Sequence, residues 1–389
     1  MGITNLLEWL AFGLIALITG LVISELVARL WLKIRGRWYP WPPHYNGELH
    51  LLPGVFPGFP TKTRIWTNRL GARGDRPPKP ASDCLRLMVA GGSAAECYFL
   101  DQPLTWPEQI VQVLEQPKNL KTLGVHSVHV NNFARSGQRC ADVADTLKRV
   151  GPRVGKIDAI VLMVGAGDMI RWMEQGSPVD IVATNTNKVA LYAMHPVLHG
   201  SIWRLLALRR IISWLKPTIT RPLQIRHNVG NAIEIARARR MQSATTNAPI
   251  PNPAGMLKSF ELALHELITT AQQLAPKVIL VQQPHFGRPP TPAEKKLLWN
   301  FGNGPVFERD VEHYYNHPAV IALWQKINEI VANIGNRGGV DAIVNGQLAV
   351  QPGSECFYDF IHLNPVGAQM LGAQVATTIL SLPTTSANS

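Results

Sequence analysis

Apolar positions along the chain fall into three regimes. From Trp9 to Ser24 sixteen consecutive residues carry no charge, and the apolar character continues to Trp31 if Glu25 and Arg29, one helical turn apart, neutralise each other. This pattern predicts a membrane-spanning helix over residues 5–31 rather than a buried core helix. Trp31, Trp38, Tyr39 and Trp41 then supply aromatic residues of the kind that sit at headgroup level. No basic stretch precedes the run and no small-x-small site follows it, so it reads as a retained anchor and not a cleaved leader. Residues 32–82, rich in Pro and Gly with short extended pieces, read as a wrapping arm.

The third regime alternates. Short β-rich runs, LRLMVA (85–90), HSVHVN (126–131), AIVLMV (159–164), KVILVQQ (277–283) and VDAIVN (340–345), are separated by helical stretches. Five such strands predict a doubly wound, three-layer α/β/α domain of flavodoxin-like order over 83–380, built on a mainly parallel sheet. Its site is expected at the carboxyl edge of the strands.

More than a hundred residues separate the third strand from the fourth, too many for one crossover. They hold three helical patterns, 201–216, 228–242 and 256–275, and the last is an ordinary amphipathic helix that packs on a sheet. The stretch from about 180 to 250 is therefore an insertion, and a basic one: nine Lys and Arg against the single acidic Glu234 between Ser201 and Arg240. Segment 201–216, with Trp203, Ile211 and Trp214 beside Arg204, Arg209 and Lys216, suits an anionic bilayer, a lid over the site, or a plain surface helix.

Composition narrows the classes. An apolar content of 46% supports a substantial core, and 38 basic against 26 acidic residues give +12. No zinc-finger spacing, RNP-like strand or basic zipper accompanies the charge, so a membrane surface is the better partner than nucleic acid. Cys84, Cys97, Cys140 and Cys356 form no C-x-x-C pair, which argues against structural zinc. His313 and His317 stand at i, i+4 without the H-E-x-x-H of a zinc protease, and with His126 and His129 they read as structural. His285 and Arg288, at the exit of the fourth strand, either touch substrate or cap the strand.

Candidate chemistry centres on LMVAGGSAAECYF (87–99), a strand, a glycine-rich turn and a helix with Ser93 at the bend. Neither G-x-x-x-x-G-K-[ST] nor G-x-G-x-x-G is present, which weakens nucleotide readings. A serine there either caps the helix or acts as a nucleophile, with backbone N–H groups and the positive end of the helix dipole at hand. A nucleophile needs a base and an orienting carboxylate. His362 and Asp359, three residues apart in CFYDFIHLNPVG, offer both.

With these blocks in view the chain resembles the SGNH (GDSL-type) hydrolase superfamily over roughly residues 60–380. VAGGS matches the family's first block and makes Ser93 the nucleophile; VNNFARSGQ resembles the second and assigns Gly137 to the oxyanion hole; FYDFIH matches D-x-x-H and assigns Asp359 and His362. The third block departs: G-x-N-D is replaced by GAGD, with Gly167 at the asparagine position of the oxyanion hole and Gly165 and Asp168 retained. Asn132 or Asn185 would have to substitute for the lost donor, leaving otherwise the N–H groups of Ser93 and Gly137.

The resemblance, strengthened by SELVARLW and WTNRLGARGDRPP, implies a bacterial, membrane-tethered serine esterase or O-acyltransferase acting on an acyl ester of a glycan or lipid. It implies no metal or organic cofactor, no nucleic acid, and a bilayer contact through the anchor and segment 201–216. Its rival, motivated by Gly167, is a hydrolase-like subunit with little turnover that serves as a membrane-bound binding or assembly component with a protein partner. Arg29, Lys33, Arg35 and Arg37 after the span favour a cytoplasmic domain by the positive-inside rule. The family resemblance instead implies a single-pass protein of the inner membrane with its domain on the periplasmic side.

Overall fold

The computed structural model describes residues 3–35, 38–75, 83–179, 192–193, 207, 223–337 and 339–383. Along the chain these form α1 (Ile3–Arg35), β1 (Trp38–Tyr39), β2 (Asn46–Leu51), β3 (Lys62–Trp66), β4 (Cys84–Gly91), α2 (Ser93–Glu96), α3 (Trp106–Leu114), α4 (Pro117–Leu123), β5 (Ser127–Asn132), α5 (Cys140–Val150), β6 (Ala159–Met163) and α6 (Ala166–Glu174). There follow β7 (Tyr192–Ala193), β8 (Gln224–Val229), α7 (Asn231–Gln242), α8 (Ala254–Gln272), β9 (Lys277–Gln282), α9 (His317–Asn336), β10 (Ala342–Asn345), α10 (Gly346–Ala349) and α11 (Pro365–Ser381).

The chain divides into two compact units, Met1–Tyr39 with Leu191–Thr220, and Pro40–Ala190 with Arg221–Ser389. In the first, α1 contains the stretch Glu8–Trp31, long and apolar enough to cross a membrane. The expected pairing within it is present: Arg29 Nε donates to Glu25 Oε1 at 2.8 Å, which offsets part of the cost of two charges on an apolar helix. The same oxygen accepts from the Ala207 N–H at 2.8 Å. Ala207 apart, segment 201–216 lies outside the described residues.

In the second unit the five expected strands form one sheet in the order β10-β9-β6-β4-β5, and every pairing is parallel. Chain order 2-1-3-4-5 is the flavodoxin-like winding, and its switch point falls between β4 and β6. The strands read as continuous apolar runs because helices cover both faces of such a sheet. α3 packs on α11, while α8 packs on α5 and α9. Gly91 ends β4 opposite Met163, and a β-carbon there would meet the Met163 carbonyl oxygen at 2.2 Å, so only glycine lets the two strand ends approach this closely.

A second sheet was not foreseen. β2 pairs antiparallel with β3 and parallel with β8, which makes three strands out of the Pro/Gly-rich stretch and the insertion. From Gln224 to Gln242 the insertion is thus a strand followed by a helix. The sheet covers a smaller apolar cluster of Trp41, Tyr45, Leu49, Phe56, Ile65 and Ile233 that reaches Trp299 and Tyr358.

The TNRLGARG stretch is pinned to the free edge of β5. Arg73 N donates to Asn132 O at 2.8 Å and Asn132 N returns a bond to Arg73 O at 3.2 Å. The Arg73 side chain then turns inward, fully buried. Nη1 donates to the carbonyls of Glu96 and Cys97 at 2.7 and 2.6 Å, Nη2 to that of Leu100 at 2.6 Å, and Nε to Gln102 Oε1 at 2.7 Å. Burial holds its pKa below the ordinary value. Four acceptors therefore meet one desolvated guanidinium, and the turn following Ser93 is held by a residue twenty positions upstream.

Candidate active site

Ser93 stands at the carboxyl end of β4, as the first residue of the single-turn helix α2. Gly92 is the N-cap and no side chain caps the turn, so Ser93 is not spent as a cap. One turn has almost no macrodipole, and the dipole expected from the sequence contributes little; what α2 provides is backbone N–H groups without intrahelical partners.

His362 and Asp359 come from the loop before α11. Ser93 Oγ lies 2.8 Å from His362 Nε2, and His362 Nδ1 lies 2.7 Å from Asp359 Oδ2. An ionised Asp359 can only accept, so Nδ1 carries the proton and Nε2 is left to accept from the serine hydroxyl. Asp359 is fully buried. Burial pushes its carboxyl up, but His362 and the N–H groups of Ile361 and His362, at 2.8 and 2.9 Å on Oδ1, outweigh this and leave it below the ordinary range.

A further donor was invisible in the sequence. Trp299 Nε1 donates to Asp359 Oδ2 at 2.9 Å, across 60 residues. The His362 ring lies nearly parallel to both Trp299 and Tyr358, with centroids 6.2 and 5.4 Å away. Imidazole tilt and carboxylate orientation are thereby fixed from several directions.

Gly137, at φ +79, and Gly167, second residue of α6, line the same cavity as Ser93 and His362. A β-carbon on Gly137 would meet nothing within 4 Å, so glycine is required there by backbone conformation alone. The loop carrying Gly137 is anchored by Glu96, three residues after Ser93 and only 1% exposed. Its Oε2 accepts from Ser136 N at 2.7 Å and from Ser136 Oγ, and its Oε1 accepts from Arg135 Nη1 at 2.8 Å. Arg135 in turn lies 3.9 Å over the Trp41 ring. Sequence reasoning missed Glu96, although a carboxylate inside the small-residue run SAAEC was a visible signal.

Of the two asparagines considered as a substitute, Asn132 does not reach the site. Asn132 is buried and committed, Nδ2 to Ala95 O at 2.8 Å and Oδ1 to Ala134 N at 3.0 Å. Asn185 lies outside the described residues. Asp168 accepts from Cys140 N at 2.9 Å and ties α6 to the start of α5; burial pushes its carboxyl up to about 7.

The other candidates are structural. His285 is buried beside Phe360, its Nδ1 accepts from Gly287 N at 3.0 Å, and burial lowers its pKa to about 4. Arg288 makes a two-point ion pair with Glu294 at 2.6 and 2.7 Å. His313 packs against Tyr315 and His317 against Phe360. All four cysteines are buried free thiols, and among the described residues no three His, Cys, Asp or Glu gather as metal ligands.

Ser93 and His362 open into a cavity of about 570 Å³. Its described walls include Val229, Gly230 and Ile233, so the described end of the insertion contributes to it.

No protein-family model matches the chain, and no curated protein does. Solved structures do. Axe2, an acetylxylan esterase from Geobacillus stearothermophilus, is 12% identical, with 78% of this chain and 97% of that one covered at a TM-score of 0.40. LAE5, an alpha/beta hydrolase enzyme from the metagenome of Lake Arreo, is 14% identical, with 76% and 96% covered at 0.38. A member of the lipolytic protein G-D-S-L family from Veillonella parvula is 9% identical, with 77% and 100% covered at 0.37.

Proposed function

We propose that this protein is an SGNH-type serine esterase, anchored in a membrane by the helix at 5–31, with Ser93 as nucleophile, His362 as general base and then acid, and Asp359 as its orienting carboxylate. The observation that carries the reading is the continuous hydrogen-bond chain from Asp359 through His362 to Ser93, 2.7 and 2.8 Å long, at the carboxyl end of a central strand. In the first half-reaction Oγ bonds to the ester carbonyl carbon while its proton passes to Nε2. The tetrahedral oxyanion is held by the N–H groups of Ser93 and Gly137, with that of Gly167 as third donor in place of the family's asparagine side chain. Its collapse breaks the bond to the alcohol oxygen, which leaves with the proton from Nε2. Water, or an acceptor hydroxyl in a transferase, repeats the sequence on the acyl-serine and releases the acid or the new ester. No step calls on a metal or organic cofactor.

The span Glu8–Trp31 supports the anchor. In this reading it holds the domain on the periplasmic face of a bacterial inner membrane, against the positive charges that follow it. Fusion of alkaline phosphatase to the carboxyl terminus tests the side: activity of the fused enzyme supports a periplasmic domain, and its absence places the domain in the cytoplasm.

The deciding experiment is labelling of the detergent-solubilised protein with a fluorophosphonate, beside Ser93→Ala and His362→Ala. Labelling of the parent that disappears in both variants is expected. A folded parent that takes no label sinks the esterase reading and favours the second one, a membrane-bound binding subunit, which Gly167 at the family's asparagine position motivates.

A further inference from the structure

We infer that the acyl group carried by the substrate is an aliphatic chain well longer than acetyl; the inference rests on the esterase reading above and names its substrate class. The cavity into which Ser93 opens has room for far more than a two-carbon acyl group, since about 570 Å³ lies in the range of whole small-molecule sites. Its walls decide what fills it. Phe99, Ile170, Met173, Val229, Ile233 and Phe307 come from five separate segments and turn an apolar surface towards the serine.

Charged groups on the wall are already engaged with each other. Arg171 Nη1 bonds Glu174 Oε2 at 3.1 Å, and burial pushes the Glu174 carboxyl up. A methylene chain pressed against the apolar part of this wall gives up no hydrogen bond on leaving water. An acetyl group would leave most of the apolar wall uncovered. Each additional methylene buried there strengthens binding about fourfold. Because the chain is held in both ground and transition states, that gain is read in kcat/KM.

The test is a series of 4-nitrophenyl esters, acetate, butyrate, octanoate and dodecanoate, hydrolysed by the full chain in nanodiscs, with Ile170→Trp and Val229→Trp beside it. Both positions are half-buried, so a larger ring is accommodated at the wall without breaking the core. The expected result is a kcat/KM at least tenfold higher for octanoate than for acetate, and an octanoate-to-acetate ratio that falls at least tenfold in either variant. A parent that hydrolyses acetate best overturns the inference and leaves the esterase reading standing. If no ester is hydrolysed and fluorophosphonate labels nothing, both fall together. Should the variants fail to fold, the parent's own chain-length profile still decides.

Discussion

A β-carbon on Gly167 would lie 2.0 Å from the carbonyl oxygen of Gln138 and 2.8 Å from its carbonyl carbon. The loop that follows Gly137 thus occupies the space in which the family's asparagine side chain would begin. Gly167 is not an open vacancy awaiting an amide: the Gln138 carbonyl stands in that space. Restoring the family residue is therefore expected to harm. Gly167→Asn should displace the Gln138 loop, destabilise the fold by about 1–3 kcal/mol, and lower kcat/KM for ester hydrolysis at least tenfold. An increase in rate would mean that the loop yields and that the missing donor limits the enzyme.

Glu96 is the next position to test, because it fixes the loop from the opposite side. Glu96→Gln keeps an acceptor but turns the other oxygen into a donor that faces Ser136 N and Oγ. Removing one well-aligned oxyanion donor costs on the order of 100-fold in rate, and a loosened loop should cost part of that. The expectation is a kcat lowered about tenfold to 100-fold with KM changed little, while Glu96→Asp, which keeps the charge, recovers part of the loss. Equal changes in kcat and KM, or no rescue, would reduce Glu96 to a stability role.

Trp299 separates orientation from packing. Trp299→Phe preserves an aromatic ring over His362 and deletes the donor to Asp359 Oδ2. A hydrogen bond to a charged acceptor contributes about 1.5–3 kcal/mol, and three other donors remain on Asp359. A fall in kcat of about threefold to thirtyfold is expected, with fluorophosphonate labelling slowed in proportion. Unchanged labelling would show that the backbone N–H groups and His362 suffice.

How much of this was legible in the sequence follows from the range of each interaction. The five central strands were readable because a parallel sheet covered on both faces leaves unbroken apolar runs such as AIVLM. Ser93, Asp359 and His362 were readable as candidates because each lies in a short local block, and the structure brings the three together. The second sheet was not: β8, QIRHNV, exposes nearly every side chain, and β2 and β3 sit among prolines and glycines. Glu96, Arg73 and Trp299 were not either. Their partners lie 39–40, 23–29 and 60 residues away, and no periodicity encodes a contact at that distance. The same holds for the Gly167 position, where the sequence shows a glycine and only the structure shows the Gln138 carbonyl packed against it.

Arg73 provides a test of stability rather than catalysis. Arg73→Met removes the guanidinium and leaves the carbonyls of Glu96, Cys97 and Leu100 buried without those donors, at about 1–3 kcal/mol each when fully unsatisfied. A loss of at least 3 kcal/mol in chemical denaturation is expected. Lysine should not rescue it, since a point charge cannot span three carbonyls and Gln102 Oε1. A Lys variant as stable as the parent would contradict this account.

Asp168 makes stability depend on pH in a direction opposite to that of most carboxylates. Burial raises its pKa from 3.8 to about 7, so between those values the folded chain holds a proton that the unfolded chain has lost. Stability from this group is complete below 3.8 and is lost as pH rises through 7. Asp168→Asn retains an oxygen to accept from Cys140 N and has no proton to lose. The variant's melting temperature should therefore gain on the parent's between pH 5 and pH 8, with the gap widening steadily and levelling off above about 7. A gap that stays constant over that interval would mean that Asp168 is ionised in the fold, held by Cys140 N–H and Arg139 strongly enough to overcome its burial.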